Sequence, residues 1–168
     1  GSLFQERITG EPEANLEEAI QHYETALQAF SSDTYPEQWA ILQNNLGNAY
    51  ADRIAGKKEE NLERTIAAYE AALLVFTYDA FPVKWATTLL NLGTTYREQI
   101  AGERSTNLEH AISCFKSALQ VFTQNTYPDQ WAILQNKLGL VYRERVIGER
   151  RLNIEQAIHC YEQALRVR

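Results

Sequence analysis

Few residues in this chain have the types and spacing that chemistry requires. His22, His110 and His159 stand alone along the sequence, without the paired-histidine spacing of a metal-binding helix. The adjacent carboxylates Glu17 and Glu18 open an amphipathic segment, where they suit the positive end of a helix dipole better than acid/base catalysis. There is no glycine-rich phosphate loop. The sequence therefore predicts no enzymatic activity, no metal site and no cofactor.

The two cysteines, Cys114 and Cys160, are 46 residues apart. Stacked helices lie about 8–10 Å apart, whereas a disulfide needs Cα atoms closer than about 7 Å. We expect two free thiols that pack between helices, which fits a reducing compartment and a cytoplasmic location. No apolar stretch reaches the ~20 residues of a membrane span, so no membrane contact is expected.

The overall charge argues against a nucleic-acid partner. Net charge is -6 and the isoelectric point is about 5.1, whereas a nucleic-acid binder usually presents a basic face. The densest basic run, Arg143, Arg145, Arg150 and Arg151, is interrupted by glutamates. We therefore predict that the partner is a protein or peptide.

A fixed interval of 46 residues organises the whole chain. The recurring residues are Trp39, Trp85 and Trp131, then Gly47, Gly93 and Gly139, and finally Gly10, Gly56, Gly102 and Gly148. An interval of this size is typical of stacked helical repeats, whose function lies on a surface. It predicts an all-α fold of antiparallel helix pairs.

Each unit is predicted to contain two amphipathic helices. One begins at a proline, Pro36, Pro82 or Pro128, because proline is tolerated in a first helical turn. We expect Gly56, Gly102 and Gly148 to end this helix as left-handed C-caps. The other helix is predicted to begin with an asparagine N-cap at Asn15, Asn61, Asn107 or Asn153.

The glycines inside the proline-initiated helix need a different explanation. Gly47, Gly93 and Gly139 each cost the helix about 1 kcal/mol relative to alanine. Each follows a leucine and precedes a tyrosine by three residues. The missing side chain is predicted to let a neighbouring helix approach closely.

These residues resemble the signature of the tetratricopeptide repeat (TPR) family. Leu46-Gly47 and Tyr50 match its first helix, and Thr65, Tyr69 and Ala72 its second, with threonine in place of alanine. The third unit continues with Leu138-Gly139, Tyr142, Ala157, Tyr161 and Ala164. The resemblance covers the whole chain and implies an α-solenoid with a right-handed superhelix.

Two features depart from the common family pattern. The unit has 46 residues where about 34 are usual, and its tryptophan lies one turn early. Long units of this kind resemble arrays in bacterial, particularly cyanobacterial, multidomain signalling proteins. We expect residues 1–168 to be one array within a longer protein, with units of about 15–60, 61–106 and 107–152 and partial units 1–14 and 153–168.

The resemblance implies a protein-binding scaffold whose first helices line a concave groove. Carried over by position, the groove residues are Asn44, Asn48, Asp52, Thr87, Leu90, Asn91, Thr94, Arg97, Asn136, Lys137, Leu140 and Arg143. Several of them differ among units whose core positions stay alike, as expected for a surface shaped by a ligand.

Other interpretations of these positions remain open. They can be ordinary solvated residues, with Arg97 or Arg143 paired to a carboxylate on the adjoining helix. A carboxylate clamp of the kind that some family members use is incomplete, because Asn44 and Ile133 stand where lysines are required.

A structural role is the alternative function. The array would then be a spacer or a self-associating element, with Ile154, Ile158, Tyr161 and Leu165 exposed along one stripe of the last helix and available for end-to-end association.

Overall fold

The computed structural model describes residues 12–99 and 101–167. These residues form seven α-helices and no strand: α1 Pro12–Ala29, α2 Pro36–Asp52, α3 Lys58–Leu73, α4 Pro82–Glu98, α5 Arg104–Ala118, α6 Pro128–Glu144 and α7 Arg150–Ala164. The all-α prediction is therefore confirmed for this part of the chain. Residues 1–11, with Gly10 and most of the predicted partial unit 1–14, lie outside the described residues.

The chain divides into two compact units, Gly1–Val75 and Phe76–Arg168. In the first, α2 packs against both α1 and α3. In the second, α4 packs against α5, α5 against α6, and α6 against α7, with a smaller contact between α4 and α6. Each proline-initiated helix therefore packs against the helix that follows it in sequence.

The prolines start their helices as the sequence predicts. Pro36, Pro82 and Pro128 are the first residues of α2, α4 and α6, and each of these helices is 17 residues long. Aromatic pairs bracket the preceding loops, with ring centroids 5.4 Å apart for Phe30 and Tyr35 and 5.2 Å apart for Phe122 and Tyr127. Edge-to-face contacts of this kind contribute about 0.5–1.5 kcal/mol each beyond the burial of the rings, which stabilises the loop before the helix.

The predicted asparagine N-caps are wrong. The helices α3, α5 and α7 begin three residues before Asn61, Asn107 and Asn153, so each asparagine lies within the first helical turns. The asparagine side chain points back and donates to the preceding loop. Asn61 Nδ2 lies 3.2 Å from the carbonyl oxygen of Arg53 and 2.9 Å from that of Ala55. Two donated hydrogen bonds to loop carbonyls stabilise the structure more than the single backbone N–H that an N-cap side chain would accept.

The predicted glycine C-caps are half right. Gly56, Gly102 and Gly148 have φ of 82°, 79° and 84°, the left-handed conformation that was expected. However, the helices before them end four residues earlier, at Asp52, Glu98 and Glu144, and the next residue in each case leaves the helical conformation with ψ of 124–129°. The glycine therefore turns the loop towards the next helix.

The helix-interior glycines do permit close packing. A Cβ atom on Gly47 would lie 2.7 Å from Cε1 of Tyr69, and one on Gly93 would lie 2.7 Å from Cε1 of Phe115. Each aromatic ring belongs to the next helix and packs directly against the glycine of α2 or α4. The predicted close approach is confirmed, and what approaches is a ring.

Two further predictions concern the cysteines and the membrane. Cys114 and Cys160 are buried and form no disulfide, as predicted, and burial raises the pKa of the Cys160 thiol. Within residues 12–99 and 101–167, no helix has the length and apolar character needed to cross a bilayer.

Candidate functional site

Charged residues meet where α4 contacts α6. Arg97 on α4 reaches Glu144 on α6, with Nη2 2.7 Å and Nε 3.2 Å from Oε1. Arg104 at the start of α5 binds the other oxygen of the same carboxylate at 2.6 Å and donates to the backbone carbonyl of Arg97. One glutamate thus joins three helices. Arg97 is therefore paired to a carboxylate on the adjoining helix, as in the alternative interpretation of this position.

Lys137 lies beside this ion-pair network, on α6. It is half-buried, and burial lowers the pKa of its ammonium. The nearby Glu98 carboxylate raises the pKa of Lys137, and the positive charge of Arg97 lowers it further. A half-buried cation that has lost hydration gains more from a new anionic neighbour than a solvated one. We name Arg97, Glu98, Lys137 and Glu144 the α4–α6 cluster.

The remaining predicted groove positions of the second unit are more scattered. Leu90, Asn91 and Thr94 on α4 and Leu140 on α6 are half-buried, whereas Thr87, Asn136 and Arg143 are exposed. The hydroxyls of Thr87 and Thr94 donate to the carbonyl oxygens four residues earlier in their own helix. Asn136 lines a cavity together with residues of α7. The structure therefore gathers only part of the predicted set.

In the first unit the predicted positions are all on α2. Asn44 and Asn48 are half-buried, and Asp52 is the exposed last residue of the helix. The hydroxyl of Tyr69 donates to Oδ1 of Asn48 at 2.7 Å, which ties α3 to α2. Asn48 and Asp52 also line a cavity of about 200 Å³ against α1. Asn48 therefore has a structural role in addition to the predicted binding role.

Sequence reasoning missed a second cavity in the second unit. It has a volume of about 490 Å³ and lies among α5, α6 and α7. Its lining includes Leu138, Tyr142, Leu152 and Cys160, with Lys116 at the rim over the Tyr142 ring. The sequence signal was a change of charge relative to the equivalent residues of the first unit: Lys116 replaces Glu24 and Gln156 replaces Arg64.

The equivalent position in the first unit carries a polar network. Tyr50 donates to Glu24 at 2.6 Å and accepts from Arg64 at 2.8 Å. The Arg64 guanidinium also lies 5.3 Å from the centroid of the Tyr50 ring. In the second unit lysine and glutamine stand at the positions of Glu24 and Arg64, so this network cannot form there.

Glu17 is also more than a helix-start charge. Both of its carboxylate oxygens accept from Arg53, at 2.6 Å and 2.8 Å, which ties α1 to the end of α2. The pKa of Glu17 is lowered, chiefly by the hydrogen bond from Arg53, and the pKa of Arg53 is raised by the same contact. Arg145 and Glu109 repeat the contact in the second unit, at 2.6 Å and 3.0 Å.

The lowered pKa of Glu17 predicts a pH dependence of stability. The contribution of this pair is fully present above the ordinary carboxylate pKa of 4.5 and is lost as pH falls through the lower folded-state pKa. Glu17→Gln should therefore reduce the loss of stability between about pH 6 and about pH 3. Urea unfolding at both pH values measures this. Glu18→Gln, which removes an exposed neighbour, is the control, and an equal effect of both variants would contradict the prediction.

The described residues hold no group of three or more histidine, cysteine or acidic side chains arranged for a metal ion. His22 lies 3.4 Å from Glu18 on the exposed side of α1. Comparison of the chain with protein-family models, with curated proteins and with solved structures gave no match. The α4–α6 cluster and the surfaces around it are the candidate functional region of the described chain.

Proposed function

We propose that this chain is a protein-binding scaffold of TPR type, arranged as an α-solenoid. Its binding surface includes the α4–α6 cluster and accepts an extended segment or a helix of a partner protein. The 46-residue recurrence of helix starts, glycines and aromatic rings supports the fold. A bacterial, cytoplasmic signalling protein is the setting that the sequence resemblance suggests, with no role for catalysis, nucleic acid or membrane.

The observation that carries the proposal is the half-buried Lys137 within a surface that varies between units. The core positions Leu92 and Gly93 recur unchanged as Leu138 and Gly139. The neighbouring surface pairs change character: Thr87 and Ile133, Leu90 and Asn136, Asn91 and Lys137, Thr94 and Leu140. Packing alone would favour similar residues at equivalent positions, so the differences support adaptation to a ligand.

The surface also suggests the chemistry of the partner. Lys137 supplies a partly desolvated cation, and Leu140 supplies an apolar contact one helical turn away. A partner segment with a carboxylate next to an apolar side chain would satisfy both. Since Arg97 is already held by Glu144, the ammonium of Lys137 is the better candidate for an incoming anion.

Selection of a random peptide library on the purified chain tests the proposal. Peptides that bind should lose about tenfold or more in affinity to Leu140→Arg and Lys137→Glu, because few central residues carry most binding energy. Lys57→Glu, at an exposed loop position, is the matched control and should bind as the wild type does. Helicity should be unchanged in all three variants. Equal affinity of the selected peptides for Leu140→Arg and the wild type would contradict the proposal.

A further inference from the structure

A second surface lies on α6 and α7. It is lined by Ala132, Ile133, Asn136, Tyr161, Ala164 and Leu165, which surround an open cavity of about 410 Å³. We call it the outer surface. Two of its large apolar side chains stand in solvent, with Ile133 47% and Leu165 75% exposed. Contiguous apolar exposure around a cavity is typical of a surface that another element covers.

The equivalent surface one repeat earlier is covered by a helix. One repeat earlier, the equivalents of Ala132, Tyr161 and Ala164 are Ala86, Phe115 and Ala118 on α4 and α5. All three of these earlier residues are 0% exposed. The helix α6 packs against both α4 and α5. At the outer surface, Ala132, Tyr161 and Ala164 remain only half-buried. These three positions thus keep their residue character without the covering helix, whereas Ile133 and Asn136 replace Thr87 and Leu90.

The arginines that hold α6 are also repeated. Arg143 and Arg150 are the equivalents of Arg97 and Arg104, and Arg150 Nη1 donates to the Arg143 carbonyl oxygen just as Arg104 donates to that of Arg97. In the earlier repeat the two guanidinium groups share the carboxylate of Glu144. Across the described chain, no carboxylate lies within ion-pair distance of Arg143 or Arg150.

A buried hydroxyl at the same surface supports this interpretation. Tyr161 Oη is buried, and among the described residues it has no hydrogen-bond partner. The equivalent Tyr69 donates to Asn48, but Leu140 takes the place of that asparagine beside Tyr161. A buried hydroxyl without an acceptor is unfavourable. Because the Tyr161 ring is only half-buried, a rotation that brings the hydroxyl to a polar atom of a docked partner would relieve this cost.

We propose that the outer surface binds an amphipathic helix of the same type as α6. Its apolar side enters the cavity beside Tyr161 and Ala164, and its glutamate is shared by Arg143 and Arg150 as Glu144 is shared by Arg97 and Arg104. This proposal concerns a different surface from the α4–α6 cluster. The expected partner is a helix that carries a carboxylate one turn or more beyond its apolar stripe.

A peptide with the sequence of residues 127–145 is the probe, because it contains α6 and its carboxylate. We expect saturable binding to the intact chain by fluorescence anisotropy, with a gain of peptide helicity, since a free helix of this length is marginal in water. The substitution Glu144→Gln in the peptide should weaken binding about fivefold, the range of a partly exposed ion pair. The protein variant Arg143→Gln/Arg150→Gln should weaken it equally, and the two changes together should add nothing further.

Two protein variants complete the test. Ala164→Arg places a charge in the cavity and should abolish peptide binding, whereas Arg151→Gln alters an exposed arginine already paired with Glu155 and should have no effect. If Ala164→Arg does not fold, the double arginine variant still decides the outcome.

The results that would overturn the proposal are distinct. Absence of saturable peptide binding, or binding that ignores both the arginines and Ala164, removes the outer surface as a helix site. Sedimentation that shows the wild type to self-associate, and Ala164→Arg not to, would assign the surface to a second copy instead. Lys137→Glu, which changes the α4–α6 cluster, should leave binding of the α6 peptide intact, so failure here is distinguishable from failure of the α4–α6 cluster.

Discussion

Replacing Gly93 with alanine should destabilise the chain by about 2 kcal/mol. A Cβ atom at this position would lie 2.7 Å and 2.9 Å from two carbons of the Phe115 ring and 3.1 Å from Cβ of Cys114. Phe115 is 0% exposed, so its ring has nowhere to move. Overpacking of this kind costs about 3 kcal/mol at its upper range, and the better helix propensity of alanine returns only about 1 kcal/mol.

Gly139→Ala is the matched comparison for Gly93→Ala. The added Cβ would be 2.6 Å from Cε1 of Tyr161, a contact as close as the one at Gly93. However, Tyr161 is half-buried and lines the cavity of the outer surface, so its ring can move aside. We expect a change smaller than about 1 kcal/mol, because helix propensity offsets the smaller strain. Urea unfolding with unchanged m-values measures both. Equal losses at the two positions would contradict this account.

Replacing Asn153 with alanine should have an effect of similar size. Its Nδ2 donates to the carbonyl oxygens of Ile147 at 2.9 Å and Arg145 at 3.4 Å, and its Oδ1 accepts from Arg145 at 3.3 Å. Asn153 is buried, with only 2% of its surface exposed. Removing it leaves loop carbonyls unpaired, and each unpaired buried group costs about 1–3 kcal/mol. We expect a loss of about 2 kcal/mol in urea unfolding.

The control for Asn153→Ala is Asn125→Ala, at an exposed loop position, which should change stability by less than about 0.5 kcal/mol. Asn153→Asp gives a sharper comparison, because a carboxylate keeps the size of the side chain but cannot donate to the two carbonyls. It should therefore be about as destabilising as alanine. An Asn153→Asp variant as stable as the wild type would show that the donated hydrogen bonds do not hold the loop.

Gly93 and Asn153 show which structural roles could be predicted from the sequence and which could not. Gly93 was interpretable because a helix-interior glycine has few physical explanations, and close packing is the main one. Asn153 was not, because an asparagine near a helix start can either accept a backbone N–H or donate to a carbonyl. Only the course of the preceding loop decides between the two.

The repeat interval, the proline starts of α2, α4 and α6, the absence of a disulfide and the all-α class could all be predicted from the sequence. Each of these follows from local backbone restrictions or from a pattern repeated along the chain. Which charges meet depends instead on how the helices pack. Arg97 and Glu144 are 47 residues apart in sequence, and their contact exists because α6 packs on α4 and α5. That packing buries Phe115, whereas no described helix covers the equivalent Tyr161, which is half-buried. Coulomb interactions and steric contacts depend on distance in space, and a repeating sequence fixes that distance only once its helices are stacked.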